Sequence, residues 1–333
     1  MLGWAFALMT KAQIDLELRP ATIADAELVA DLETARNPDD PRDAAMERFW
    51  WTTMPAGEVY SRLISARNGL AVAYVLGRHQ PWGEGAQRFA TVRFLLHPEL
   101  WSETRYRYLI DIAESWARND GGDIAVTRLA AKFAEEIGVL LACGYSEVRR
   151  ARHWELDLLT HRARLLAGTE LSRKRMREQG VRMLTLDHDA DPDLLTKLHE
   201  MSVAAEQDIP TTVPARAMPY NEWHHLWFDN PGIRADRIWI AREGEAIVGL
   251  SAIEYPPARG LPWTAFTATA RSARGRGIAR ALKYETVAQA IALGAKRVRT
   301  DNDAENAPIL HINGEMGYVP IDPVIELHRP LAQ

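Results

Sequence analysis

Residues 271–283 read RSARGRGIARALK, and this stretch decides the fold. Gly275 and Gly277 stand among Arg271, Arg274 and Arg276. From Ile278 onward a helical spacing sets in: Ile278, Leu282, Val287 and Ile291 recur, with Arg280, Lys283 and Glu285 between them. Before the glycines runs Thr264-Ala265-Phe266-Thr267-Ala268-Thr269-Ala270, small and β-branched. The spacing predicts a strand, a glycine-rich turn and a helix, in that order.

A helix start leaves backbone N–H groups without partners and carries a partial positive charge. Glycines let an anion approach that backbone closely, so the turn suits a pyrophosphate. No Gly-Lys-Ser/Thr ends the loop, which excludes a Walker P-loop. The third glycine and the acidic strand end of a dinucleotide fingerprint are missing too. A plain surface turn and an RGRG-type RNA contact remain as alternatives.

Outward from this stretch the chain repeats itself. GVLLACGY ends at Tyr145 and HINGEMGY ends at Tyr318, an offset of 173 residues. Carried back without a gap, that offset sets Thr127 on Thr300, Leu109 on Leu282 and Phe94 on Thr267. Two copies of one αβ unit are the physical reading. The first copy begins near Leu16–Pro20. It continues with a helix over 23–33, a hairpin of 70–78 and 88–97, and a closing strand over 153–158. Residues 161–179 read as a charged linking helix. The second copy begins at 181–186 and continues with a helix over Leu194–Glu206 and a loop over 208–214. A Trp/His-rich helix follows over 221–230, then a hairpin over 237–255 turning at Gly244-Glu245. IELHR (325–329) ends the chain. The expected domains are 1–160, a linking helix over 161–180, and 181–333.

The chain has 333 residues, room for two domains. Its net charge of -5 argues against a general nucleic-acid binder. The single cysteine, Cys143, permits no intrachain disulfide and fits a cytoplasmic protein. No apolar run approaches the ~20 residues of a membrane span. The apolar start MLGWAFALMTKAQ lacks a basic n-region and is expected to be a loose lead-in, with Met9 a possible natural start.

The series Arg274-Gly275-Arg276-Gly277-Ile278-Ala279, then Asn306, then Gly317-Tyr318, resembles the GNAT acetyltransferase superfamily in order and spacing. The resemblance is specific over 237–320 and extends more weakly over the whole chain as a tandem pair. It implies an α/β (α+β) fold of two tandem GNAT-like domains, each a mixed, mostly antiparallel sheet flanked by helices. It further implies acetyl-CoA as cosubstrate, held by the backbone N–H groups of Arg274, Gly275, Arg276, Gly277, Ile278 and Ala279. The pantetheine is expected along Thr267, Ala268 and Thr269, with Asn306 at its amide and Asn302, Ile309 and Asn313 beside it. In the first copy the offset replaces Arg274, Gly275, Gly277 and Ala279 by Trp101, Ser102, Thr104 and Tyr106, and Asn306 by Phe133. Only the second half is therefore expected to bind CoA through this loop.

Transfer of an acetyl group to an amine needs a base, an oxyanion donor and a route for the thiolate. Glu254, in the apolar run Gly249–Tyr255, is the expected base. A backbone N–H of 267–269 is the expected oxyanion donor. The family's usual acid is a tyrosine five residues before the Gly-aromatic pair, and Asn313 stands there. Tyr255 or Tyr284 is expected to substitute, or a water, since a thiol of pKa ~8.5 leaves readily. Asp208, Trp223 and Trp227 are expected at the acceptor. His224 and His225 are adjacent, so they do not share a helix face, and no metal is expected. The expected function is an N-acetyltransferase acting on a small-molecule amine by direct attack. A non-catalytic acyl-CoA-binding sensor is the alternative. Neither a nucleic acid nor a membrane is an expected partner, and the chain is expected as a monomer or homodimer.

Overall fold

The computed structural model describes residues 15–53, 57–83, 86–208, 217–303 and 306–331. The apolar lead-in over 1–13 and residues 209–214 of the expected acceptor loop lie outside the described residues. In chain order the first part holds β1 (Arg19–Pro20), α1 (Ala26–Arg36), α2 (Ala44–Thr52), β2 (Val59–Arg67), β3 (Leu70–His79) and β4 (Phe89–Leu96). It goes on with α3 (Glu103–Asn119), β5 (Ile124–Ala130), α4 (Ala134–Ala142) and β6 (Ser146–Asp157). The second part holds α5 (Arg162–Glu178), β7 (Arg182–Thr185), α6 (Leu194–Glu206), α7 (Tyr220–Phe228), β8 (Ile238–Glu243) and β9 (Ala246–Glu254). It ends with β10 (Trp263–Thr269), α8 (Ile278–Ala292), β11 (Arg297–Asp303), α9 (Ala307–Met316) and β12 (Val319–Pro330).

The repeat is present in the backbone. Shifted by 173, β5 falls on β11 and β6 falls on β12, end for end. The fold is mixed α/β, two copies of one unit built on mostly antiparallel strands.

The chain forms two compact units, residues 1–149 with 324–333, and residues 150–323. These limits differ from the expected spans because the copies exchange their closing strands. In the first unit the strand order is β1-β2-β3-β4-β5-β12. There β12 pairs antiparallel with β5, Val324 opposite Ala130. In the second unit the order is β6-β11-β10-β9-β8-β7. There β6 pairs antiparallel with β11, Ala151 opposite Asp303. So the strand over 153–158, expected to close the first half, belongs to the second sheet. Side-chain alternation fixes which face a strand buries, but not which open edge it joins.

Residues 162–178 form the expected helix, α5, and it belongs to the second unit. Arg173 grips the buried carboxylate of Glu285 on α8 through two hydrogen bonds of 2.7 Å each. Such a bidentate pair fixes orientation as well as distance. Two elements, α2 and β2, carry no expectation from the sequence. Asp43 caps α2, accepting from the N–H of Ala45 and Met46.

Gly249 sets the seat of α8. A Cβ there would lie 2.9 Å from Leu282 Cδ1 and 3.0 Å from both Ile278 Cγ2 and Ala268 O. Only a residue without a side chain lets α8 lie this close to β9. Ile253, Val287 and Ile291 pack on the same face, while Leu250 and Ala252 face Leu198, Trp223 and Trp227 of α6 and α7. The second sheet is thus covered on both faces, and β10 passes between the two cores.

Candidate active site

After β10 the chain makes a 3-10 turn over Arg271–Ala273 and then the glycine turn. Gly275 has φ of +78° and Gly277, the N-cap of α8, has φ of +83°. A side chain strains that backbone, which accounts for glycine at both places. A Cβ at either position would meet nothing within 4 Å, so the turn is open on its outer side. The helix hydrogen bonds of α8 begin with Ala281 N–H to Gly277 O at 3.0 Å. The amides of Ile278, Ala279 and Arg280 precede that bond and lie at the open helix end. A cluster of N–H donors and a helix dipole therefore meet at one uncovered spot.

Beside it the sheet splits. β10 and β11 run parallel, yet among the described residues their register holds a single pair, Trp263 with Arg299. β10 continues to Thr269 along β9, and β11 continues to Asp303 along β6. Each strand is satisfied on its outer edge and diverges from the other on its inner edge. The gap widens along the chain direction, towards the glycine turn. The register of β10 slips between Thr264 and Phe266, and this bulge bends the strand away. An unpaired strand edge offers alternating N–H and C=O groups to an extended, amide-bearing ligand. Thr267 is tied across to Ser251, Oγ1 to Oγ at 2.8 Å. Thr269 Oγ1 is buried without a hydrogen-bond partner.

The three arginines of the turn have acidic partners. Arg271 and Arg274 both close on Asp208, the residue just past α6, with Arg271 Nε 3.0 Å from its Oδ2. The two guanidinium groups hold the Asp208 carboxyl far below the usual carboxylate range. Arg276 pairs with Glu243 at 2.8 and 3.0 Å. Asp208, expected to meet a cationic acceptor, thus lies against the arginines of the turn.

Across the sheet lies the expected acceptor side. Glu254 ends β9 on the α6/α7 face, partly buried, and Asn230 Nδ2 donates to its Oε2 at 2.9 Å. Asn230 is itself held, its Oδ1 accepting from Gly232 N–H at 2.8 Å. Trp227 meets Phe266 of β10 edge-on, ring centroids 6.1 Å apart. Trp223 is fully buried in the core, so the second of the two expected tryptophans is the nearer to β10. His225 pairs with Asp229 at 2.5 Å. Among the described residues no group of three or more potential ligands gathers as a metal site.

The remaining expected residues divide. Asn306 caps α9, its Oδ1 accepting from Ile309 N–H at 3.5 Å. Asn313 is fully buried and donates to Asn302 Oδ1 at 2.6 Å. The Tyr255 hydroxyl is buried without a hydrogen-bond partner, and burial pushes its pKa up. The Arg237 guanidinium stacks on the Tyr255 ring at 4.8 Å. Asn230 is not announced by the sequence, because a lone asparagine after a helix reads as a cap.

The first unit has the same strands with a different filling. β4 and β5 pair in parallel over Phe89–Thr91 and Ile124–Val126. Tyr106, in the place of Ala279, is fully buried. It packs edge-on against Phe94 at 5.3 Å and tilted against Trp101 at 5.0 Å. Ser102 caps α3, accepting from Arg105 N–H at 3.3 Å. Rings and a hydroxyl cap occupy what is open at Gly275–Ala279.

The open glycine turn thus lies beside a split parallel strand pair. Residues 198–318 match the model of the acetyltransferase (GNAT) family. The chain carries a GNAT acetyltransferase domain and is an acyltransferase of tandem GNAT build. Its fold is similar to that of a tandem GNAT protein from the clavulanic acid biosynthesis pathway, at TM-score 0.73 and 16% identity, covering 96% of this chain and 99% of that one. It is also similar to a GCN5-related N-acetyltransferase from Sphaerobacter thermophilus, at TM-score 0.65 and 17% identity over 96% of each chain. FemX follows the same fold at TM-score 0.60 and 10% identity, over 95% of this chain and 98% of that chain. No curated protein sequence matches. Among the described residues no helix is long and apolar enough to cross a membrane.

Proposed function

We propose that this acetyltransferase moves the acetyl group of acetyl-CoA to the amine of a small molecule by direct attack, at one site in the second unit. The observation that carries this reading is the open turn Arg274–Ala279 at the mouth of the β10–β11 split, set against its ring-filled counterpart at Trp101–Tyr106. In this reading the amides of 275–279 bind the pyrophosphate, and Arg271 and Arg274 exchange Asp208 for a phosphate when the cosubstrate enters. The inner edge of Thr267–Thr269 takes the pantetheine as a neighbouring strand. An amide N–H of the same edge faces the thioester oxygen, already oriented before charge develops there.

Glu254 takes the proton from the acceptor ammonium. Asn230 holds the carboxylate in position through the 2.9 Å hydrogen bond. The freed amine then attacks the thioester carbonyl, and the carbon–sulfur bond breaks. Trp227 and Phe266, beside Glu254 on the same face, favour an acceptor with an apolar portion. The test is thiol release from acetyl-CoA with a panel of amines, against Glu254→Gln. Turnover by the unaltered protein and its loss in the variant support the reading. Binding without turnover across a broad panel replaces it by an acyl-CoA sensor.

A further inference from the structure

Three positions that are buried in the first copy differ in kind between the copies. With the offset of 173, Lys283, Asn302 and Asn313 correspond to Ile110, Leu129 and Leu140. In the first unit those three side chains belong to one apolar cluster, each no more than 9% exposed. The fold therefore packs there with hydrocarbon alone. In the second unit, the one with the open turn, all three are polar. Lys283 is 1% exposed on α8, and Asn313 on α9 is fully buried. Asn313 spends its amide N–H on Asn302, and its Oδ1 is left buried without a partner. Buried polar atoms without partners occur in both units, Tyr106 and Tyr145 among them, but only this copy is polar at these three positions, where burying a lysine and an asparagine costs stability that hydrocarbon does not.

Lys283 has no carboxylate partner among the described residues. Its Nζ lies 4.9 Å from the centroid of the Tyr318 ring, a cation–π distance. The Tyr318 hydroxyl lies near Thr264, without a hydrogen bond to it, and Thr264 is next to the one pair that joins β10 to β11 among the described residues. Through Tyr318 the lysine is linked to this end of β10, and in the acetyl-transfer reading the thioester end of a CoA lying along β10 reaches the same end. Desolvation lowers its pKa to about 7. The charged groups on the surrounding elements are already matched, Arg280 with Glu315 of α9 and Glu285 with Arg173 of α5. Burial pushes the phenols of Tyr318, just before β12, and Tyr255, after β9, upward, so they stay neutral. Tyr284, the next residue on α8, packs against Gly168 of α5.

We propose that Lys283 is the proton donor to the departing CoA thiolate, the role left vacant by Asn313. This rests on the acetyl-transfer reading of the same site. As the amine nitrogen bonds to the carbonyl carbon, the carbon–sulfur electron pair passes to sulfur. A proton from the Lys283 ammonium passes to that sulfur, giving the CoA thiol and a neutral amine. Solvent returns the proton, balancing the one that Glu254 takes from the acceptor. An acid near 7 giving its proton to a thiolate near 8.5 runs downhill.

The test compares the full chain with Lys283→Met, an apolar residue at the place of Ile110. Acetyl-CoA binding by calorimetry is expected within about threefold of the unaltered protein, which also shows that the variant is folded. Acetyl transfer at pH 7 is expected to fall by about 10–100-fold, at the low end for general acid catalysis because a thiol needs little help. The ammonium is the active form, so the unaltered enzyme should lose kcat/KM as pH rises above about 7, and the variant should lack that limb. A second readout needs no turnover. Between pH 7 and about 10 the unfolded chain binds the Lys283 proton and the folded chain does not. The unaltered protein should therefore gain melting temperature relative to Lys283→Met as pH rises through that range. Full kcat with an unchanged pH profile overturns the proposal, and so does a melting difference that is flat with pH. If the unaltered protein binds acetyl-CoA and releases no thiol with any amine, the acetyl-transfer reading fails, and the acid role falls with it.

Discussion

The turn before α8 and the turn before α3 occupy equivalent places in two copies of one unit, and they are built oppositely. Before α8 stand two glycines with positive φ, facing open space. Before α3 stand a serine cap and Trp101, which tilts against the fully buried Tyr106 of α3. Both copies retain the parallel strand pair that diverges, so the divergence belongs to the architecture and is not by itself a site. What distinguishes a ligand-ready copy from a filled one is a handful of side chains: glycine or hydroxyl at the turn, methyl or ring one turn later, and polar or apolar at Lys283, Asn302 and Asn313. The lesson is that a tandem repeat carries its own control.

The sharpest way to break the comparison is to remove chemistry from one copy while sparing its binding. Glu254→Gln should lower kcat by about 10²–10⁴-fold, the usual range for a general base, with acetyl-CoA affinity unchanged. Steady-state thiol release and calorimetry together check both halves of that statement. Next in size is the filled copy. Tyr106→Ala removes a ring that is fully buried and should destabilise the fold by about 3–5 kcal/mol, measured by urea unfolding. It should create no second CoA equivalent, because Ser102 and Thr104 still cap and close the turn. A second equivalent would mean that the ring alone separates the two copies. The smallest effect sharpens the electrostatics. Asp208→Asn frees Arg271 and Arg274 and should tighten CoA binding by a few-fold at low ionic strength, with a steeper salt dependence than in the unaltered chain. Weaker binding would instead make Asp208 a support that positions the arginines.

Much of this was legible in the residues. The small, β-branched run before Arg271, the two glycines and the apolar spacing after them gave β10, the turn and α8 nearly to the residue. The offset of 173 sets the strand of Thr127, β5, on the strand of Thr300, β11. The exchange of β6 and β12 was not legible, because hydrogen-bonding partners leave no mark on alternation. α2 and β2 were missed, since Trp50 and Trp51 in one and the arginines of the other blur the periodicity that would announce them. Lys283 reads as one more surface charge on an amphipathic helix. Only the folded chain, in which Lys283 is 1% exposed beside the Tyr318 ring, shows that it is buried, and contacts between distant segments are invisible to local spacing. The partners of Asp208 are hidden from the sequence for the same reason, Arg271 and Arg274 lying 63 and 66 residues away.

The central claim is that one helix mouth, at Gly275–Ala279, holds the cosubstrate. Calorimetric titration of CoA into the full chain tests it most directly. The account predicts one equivalent per chain, weakened at least ~100-fold by Gly277→Val, whose side chain both strains a positive φ and stands over the amides. Thr104→Val at the equivalent place in the first unit should leave the titration unchanged. Two equivalents, or a single one that survives Gly277→Val and is lost in Thr104→Val, would contradict it.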